Sequence, residues 1–111
     1  MDNLENYRRI IQKLVKYHAQ YVPSSGQIEV APFIDTKHDN YGLIDVGWNH
    51  AGRVHSIIFH LRIEKGKIWV EWDGIETSVT QELVDAGIPK EDIVLGFHRP
   101  KRRAITGFSV A

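Results

Sequence analysis

Apolar residues near the amino terminus recur every three or four positions, a spacing that predicts an α-helix with one buried side. The apolar side consists of Leu4, Tyr7, Ile11, Leu14 and His18, flanked by Ile10 and Val15. We expect Asp2 to cap this helix, with Glu5 three residues later completing a capping box. The turn-forming residues 23–26 should end the helix before the next element begins.

The next part of the chain alternates apolar and polar residues, which is typical of β-strands buried on one face. The predicted core positions are Ile28, Val30 and Ile34, then Ile44, Val46 and Trp48, then Ile57, Phe59, Leu61 and Ile63, then Ile68, Val70 and Trp72. Pro32 cannot donate a ladder hydrogen bond, which favours an edge position for the first strand. Short polar turns at residues 39–40, 50–52 and 65–66 separate the four stretches, so we predict an antiparallel meander.

After residue 74 the pattern indicates short helices. Ser78 with Gln81 forms a capping-box signature, and Gly87 followed by Ile88 suits a Schellman ending against Leu83. We expect a turn at residues 89–92, an extended run at residues 93–97 and an apolar tail at residues 106–111 that docks. The predicted fold class is α+β, an antiparallel meander of four or more strands with a long N-terminal helix on one face and short C-terminal helices.

The opposite face of the predicted sheet is too apolar to be simply solvated. It combines the apolar residues Phe33, Leu43, Ile58 and Trp69 with Asp45, His60, Arg62 and Glu71. Large exposed apolar patches mark interaction surfaces, so we predict a homo-oligomer. On this interpretation Trp48 and Trp72 belong to the core, whereas Trp69 points outward as an interface anchor.

Composition adds limits to this picture. The 111 residues predict a single domain, residues 1–111, in which 14 Lys plus Arg balance 14 Asp plus Glu. No apolar run approaches the roughly 18 residues of a membrane span, and no signal-peptide pattern begins the chain. We therefore expect a cytoplasmic protein with no membrane partner. The absence of Cys excludes disulfides and thiolate chemistry.

Positive charge forms two patches, one within residues 1–20 and a denser short run near the C-terminus. This run consists of His98, Arg99, Lys101, Arg102 and Arg103. It suits contact with nucleic-acid phosphates or with an acidic protein surface, and the acidic residues 74–95 of the same or a neighbouring chain are one such surface. The neutral chain and the missing helix-turn-helix signature favour the protein surface.

Three carboxylates are the best candidates for chemistry. Asp45, Glu71 and Asp73 fall on neighbouring predicted strands in the same outward phase, which leaves a divalent-metal-dependent hydrolase or nuclease as an alternative function. His55 and His60 should point to opposite sheet faces, which argues against a histidine metal site. The chain has no nucleophile elbow and no Gly-rich phosphate loop, so we expect no cofactor and favour a non-enzymatic function.

Several segments resemble the XisI-like family, whose members are similar to the fdxN element excision controlling factor of cyanobacteria. The matching segments include residues 41–48 (YGLIDVGW), 87–98 (GIPKEDIVLGFH) and 106–111 (TGFSVA). The resemblance implies an accessory role beside a separate recombinase in DNA-element excision, and a XisH-like protein as partner. It supplies no catalytic residue.

The sequence and the resemblance together predict a controlling or adaptor protein that binds a XisH-like partner, with direct DNA binding left open. The predicted contact residues are Trp69, His98, Arg99, Lys101, Arg102 and Arg103.

Overall fold

A computed structural model describes residues 3–20 and 27–111 of the chain. The elements in chain order are helix α1 (Asn3–His18), strands β1 (Ile28–Asp35), β2 (Asn40–Asn49), β3 (Gly52–Glu64) and β4 (Lys67–Asp73), helix α2 (Val79–Asp85), a 3-10 turn (Lys90–Asp92), strand β5 (Ile93–Leu95) and helix α3 (Pro100–Arg103). This architecture confirms the predicted α+β class. The predicted cap at Asp2 and helix stop at residues 23–26 lie outside the described residues.

The five strands form one sheet in the order β1-β2-β3-β4-β5. The first four strands are the predicted antiparallel meander, and β5 pairs in parallel with β4 after the chain has passed through α2. The edge position of β1 agrees with Pro32. Between β3 and β4, Lys65 and Gly66 both have positive φ, 53° and 79°, as a tight two-residue hairpin turn requires.

Helix α1 lies on one face of the sheet, which we call the helix face. Its buried residues Tyr7, Ile11 and Val15 face a core drawn from the strands and from α2. The fully buried strand residues on this face are Tyr41, Leu43, Phe59, Leu61, Ile68, Val70 and Ile93. Each such aliphatic or aromatic side chain contributes about 1.5–3 kcal/mol on burial, so this face dominates the stability of the fold.

A β-bulge in β3 changes which residues face the helix. Leu43 pairs with Phe59, but the next residue of β2, Ile44, pairs with Ile57, so Ile58 is an extra residue in β3. Leu43 and Phe59 are buried under the helix, and Ile58 packs against the same core. Beyond the bulge, Ile44 and Ile57 therefore point to the opposite face, which we call the outer face.

A second bulge has the same effect on β4. His60 pairs with Trp72 and Leu61 pairs with Val70, so Glu71 is the extra residue. Leu61 and Val70 are fully buried, which places His60 and Trp72 on the outer face.

The two bulges, which reverse Ile57 and Trp72, and the phase of β2, whose Tyr41 and Leu43 face the helix, overturn part of the predicted core. The predicted faces of β1, of residues 59–63 and of Ile68 and Val70 agree with the structure, although Ile34 is exposed, and Phe33 lies on the outer face as expected. Leu43 and Ile58 belong to the helix face, contrary to prediction. The predicted core residues that instead lie on the outer face are Ile44, Val46, Trp48, Ile57 and Trp72.

The C-terminal third follows its capping signals. Ser78 Oγ accepts a hydrogen bond from the Gln81 N–H at 3.2 Å, and Ile88 N–H donates to the Leu83 carbonyl at 3.2 Å, as in a Schellman ending. The tail docks as predicted, because Ser109 forms a parallel bridge with Val94 at the free side of β5. In the described part of the chain, no helix has the length and apolar character needed to span a membrane.

Candidate partner-binding surface

The basic run lies where the chain leaves the sheet after β5. Arg99 has extended backbone angles and precedes α3, and Pro100 occupies the first turn of that helix, where its missing N–H costs nothing. The run therefore forms a single helical turn on the surface, and its side chains point in different directions.

Arg103 points inward and holds the C-terminal segment together. Its Nε donates to the carbonyl oxygens of His98 at 3.0 Å and Leu95 at 3.2 Å. Its terminal nitrogens lie 3.4 Å from the Val110 carbonyl oxygen and 3.5 Å from that of Gly96. Its guanidinium is thus committed to backbone contacts within the chain.

Trp69 lies on the outer face under this arginine. The Arg103 guanidinium carbon is 5.2 Å from the centre of the indole ring, a cation–π distance. The Trp69 Nε1–H is buried and has no hydrogen-bond partner among the described residues. The C-terminal segment therefore covers part of the side chain that the sequence assigned to an interface.

Three cations of the run remain free. Arg99, Lys101 and Arg102 are exposed, and in the part of the chain that the structure describes their side chains make no hydrogen bond or ion pair. None of them pairs with the acidic residues 74–95 of the same chain. They form a compact positive surface, which we call the α3 basic surface.

His98 lies between this surface and the domain body. It is half-buried, and its ring centroid is 4.4 Å from that of Phe97. Its backbone N–H donates to the Leu95 carbonyl at 3.1 Å, which closes the turn from β5 into α3, and part of the ring stays accessible.

A second group of cations lies along α1. Arg8 donates to Asp39 Oδ1 at 2.9 Å and to Glu5 at 2.6 Å. The hydrogen bond from Arg8 lowers the pKa of Asp39. Lys13 and Lys16 are exposed. Together with Arg9 they line an open groove beside the β1–β2 turn. Arg9, Lys13 and Lys16 carry the same total charge as the α3 basic surface, so they are suitable control positions for substitutions there.

The three carboxylates proposed for chemistry do not converge. Asp73 accepts hydrogen bonds from the Ser78 and Thr80 hydroxyls at 2.9 and 2.8 Å and from the N–H groups of Val79 and Thr80. It therefore anchors the start of α2. Glu71, the bulge residue of β4, accepts a hydrogen bond from Arg62 at 3.1 Å.

Asp45 lies apart from both on the helix face. It lines a cleft of about 970 Å³ between the end of α1 and the sheet, together with Leu43 and Ser56. Burial raises the pKa of its carboxyl group. Among residues 3–20 and 27–111, no three potential ligands are grouped to hold a metal ion, so the predicted carboxylate cluster is wrong as a site.

Comparison with known proteins identifies relatives that match from end to end. A family model described as XisI protein matches residues 1–110. A crystal structure of a XisI-like protein from Anabaena variabilis ATCC 29413 has 34% sequence identity and a TM-score of 0.90, and the match covers 97% of this chain and 99% of that chain.

A second crystal structure, of the fdxN element excision controlling factor XisI from the same organism, has 38% identity and a TM-score of 0.85. That match covers 99% of this chain and all of the other, 100%. No curated protein sequence matches the chain.

Proposed function

The chain belongs to the XisI family, and from this membership we propose that it is a non-enzymatic accessory factor in site-specific excision of a DNA element. The observation that carries the proposal is the end-to-end match to an excision controlling factor, with 38% identity over 99% of the chain. A controlling factor acts by binding, so its working parts are surfaces. As a factor that acts on chromosomal DNA, it works in the cytoplasm.

We place the contact with a XisH-like partner on the α3 basic surface. Arg99, Lys101 and Arg102 carry charge that nothing in the described residues neutralises, while Arg103 holds α3 against the sheet. An acidic partner surface would complement these charges and accelerate association. Charge complementarity of this kind also makes the affinity fall with added salt.

The direct test measures the complex between this chain and a XisH-like protein from the same genome. We expect a complex at micromolar concentration, by co-purification and by calorimetry. Replacing Arg99, Lys101 and Arg102 by Gln should weaken it. The matched control replaces Arg9, Lys13 and Lys16 on α1 by Gln, which removes the same charge elsewhere and should leave the affinity unchanged. No complex at micromolar concentration would overturn the proposed partner, and equal effects of both triple variants would overturn the proposed surface.

DNA is the second ligand that the same surface fits. If its three free cations each neutralise a phosphate, log K should fall with log salt with a slope of about −2.7. Affinity for duplex DNA would then drop roughly 40-fold between 50 and 200 mM salt. Fluorescence anisotropy with a labelled duplex measures this slope. A binding constant independent of salt, or no binding at 50 mM, would remove DNA from the proposal.

A further inference from the structure

Half of β3, although a central strand, has no neighbouring strand on its β4 side. β4 pairs only with the second half of β3, residues 59–64. Gly74, one residue past the end of β4, donates its N–H to the Ile58 carbonyl at 2.8 Å, and the chain then continues to α2. Within the described residues, no strand lies beside residues 52–57 on this side, although β2 pairs with them on the other. We call residues 52–57 the open edge of β3.

The direction of the backbone groups along this edge follows from one hydrogen bond. Trp48 donates its N–H to the Gln27 carbonyl at 3.2 Å, so its polar backbone groups point toward β1. Backbone groups alternate sides along a strand, so those of Gly47 point toward β3 and bond with its partner Val54. The residues of β3 that turn their N–H and C=O groups to the open edge are Arg53, His55 and Ile57.

Apolar side chains accompany the unpaired backbone groups. Ile57 is 45% exposed and Trp72, beside the end of the open edge, is 53% exposed. Trp48, which pairs with Arg53, is 55% exposed. Unpaired strand edges bordered by apolar side chains are ready-made sites for another strand.

The accessible surface area of the chain is also larger than that of an average monomer of its mass. Its accessible area is 7115 Å², whereas a monomeric protein of 12.8 kDa has roughly 6,300 Å². The difference of about 800 Å² is of the order that one partner contributes to a standard interface.

We propose that the open edge of β3 pairs antiparallel with the same edge of a second copy of this chain, joining two sheets into one across a two-fold axis. In the register centred on His55, the backbone groups of His55 bond with those of its symmetry mate. Arg53 then lies opposite Ile57 of the second copy. This register uses every outward-turned backbone group of the edge. The proposal concerns self-association, and it does not depend on the XisH-like partner.

This register also keeps the positive charges of the two copies apart. The open edge carries Arg53 and no carboxylate, so close approach of the two arginines would be repulsive. The register separates their positions by four residues, about 13 Å along the strands, which exceeds the Debye length of about 8 Å. Each Arg53 keeps its contact with Trp48 of its own chain, whose ring centre is 5.5 Å from the guanidinium carbon, and lies beside the apolar Ile57 of the second copy.

The test uses the full chain and two substitutions at one position. Ile57→Lys places an ammonium group opposite Arg53 of the second copy, whereas Ile57→Glu places a carboxylate there. Both variants lose the same apolar contact, so the difference between them reports the charge of the facing residue. We expect wild type to sediment at twice the 12.8 kDa chain mass. Ile57→Lys should weaken the dimer at least tenfold relative to Ile57→Glu, since opposed like charges destabilise cross-strand pairs.

Two further variants separate the edge from other surfaces. His55→Pro removes an N–H that faces the second copy and spares the ladder with β2, so it should give a monomer with native circular dichroism. Ile105→Lys changes another exposed apolar residue, 77% exposed, and should sediment as wild type. Hydrogen exchange should protect the Arg53, His55 and Ile57 amides in wild type and expose them in Ile57→Lys.

Several results would overturn the proposal. A wild-type monomer at 100 µM would exclude self-association of this kind. A wild-type dimer equally weakened by Lys and Glu at position 57 would contradict the register, and a dimer that Ile57→Lys and His55→Pro leave intact would place the interface elsewhere.

Discussion

Arg103 lies over the indole ring of Trp69, 5.2 Å from its centre, while its Nε bonds to the carbonyls of His98 and Leu95. One side chain therefore connects β4, the end of β5 and the turn into α3. The arrangement separates the basic run into one structural cation and three free ones. It also means that neutralising the whole run would confuse loss of binding with loss of folding.

We predict that Arg103→Ala lowers the free energy of unfolding by about 2 kcal/mol, because hydrogen bonds from a charged group contribute about 1.5–3 kcal/mol. Arg103→Lys should recover only part of the loss, since an ammonium cannot reproduce the planar fork. Urea denaturation followed by circular dichroism measures both. Arg102→Ala is the control and should change stability by less than about 0.5 kcal/mol. Equal stability of the two alanine variants would contradict the assignment.

Asp73 is predicted to act in folding rather than in metal chemistry. Asp73→Ala removes the acceptor of the first N–H groups of α2 and should cost about 1–2 kcal/mol. Glu76→Gln, a nearby exposed carboxylate, should have no measurable effect. Calorimetric titration with Mg²⁺ should give the same result for wild type and for Asp73→Ala. A site-specific heat that disappears in the variant would restore the carboxylate hypothesis.

Stability should decline in mild acid because of His60. Burial lowers the pKa of His60 below its usual 6.5, and the positive charge of Arg62 acts in the same direction, while Glu71 opposes it. The unfolded chain therefore takes up this proton at a higher pH than the folded one. The neutral His60 ring contributes fully to the free energy of unfolding above pH 6.5, and this contribution is lost as the pH falls from 6.5 toward the lower pKa of the folded state.

The measurement compares urea midpoints of wild type and His60→Gln at pH 8 and pH 5. We expect wild type to lose more stability than the variant over this interval. His50→Gln, in the β2–β3 turn, serves as the control and should follow wild type. If His60→Gln shows the same pH dependence as wild type, the proton uptake belongs to other groups.

Gly42 is predicted to be irreplaceable by a larger residue. A Cβ at this position would meet the Phe59 carbonyl oxygen and would lie 2.6 Å from Phe33 Cζ, because the Phe33 ring crosses Gly42 to reach His60. Gly42→Ala should cost about 1–3 kcal/mol by overpacking, measured by denaturation. Adding the substitution to Phe33→Ala should still destabilise the sheet, because the carbonyl contact remains. A neutral Gly42→Ala would show that β2 can move away.

Local signals were sufficient for most of the fold. The helical spacing of α1, the Ser78 cap, the Gly87 ending and the Lys65–Gly66 turn depend on residues close in sequence, and the structure agrees with each. The two bulges were not predictable in this way. At the first bulge, Ile57 and Ile58 are both apolar, so either can be taken as the core residue. At the second, apolar residues surround Glu71, so the alternation of apolar and polar residues continues across the extra residue.

The candidate site shows the same limit at longer range. The sequence identified the basic run, because its charges are adjacent. It did not separate Arg103 from its neighbours, since Arg103 is held by carbonyls at the end of β5 and in the turn that follows, and by a ring from β4. It also assigned Trp72 to the core, because the bulge at Glu71 reverses its face, and Trp48, because β2 carries apolar residues in both phases and alternation alone does not choose between them.

The extra residue at Ile58 makes this point of β3 tolerant of a change in length. Deleting it would leave Leu43 paired with Phe59 and Ile44 with Ile57, so the bulge would disappear while the remaining side chains kept their faces. Deleting a residue between Arg53 and Ser56 instead would move the residues between that deletion and the β2–β3 turn to the opposite face. Alignments of this family should therefore place a gap in β3 at Ile58, because homology models and consensus designs built with the gap elsewhere will invert part of that surface.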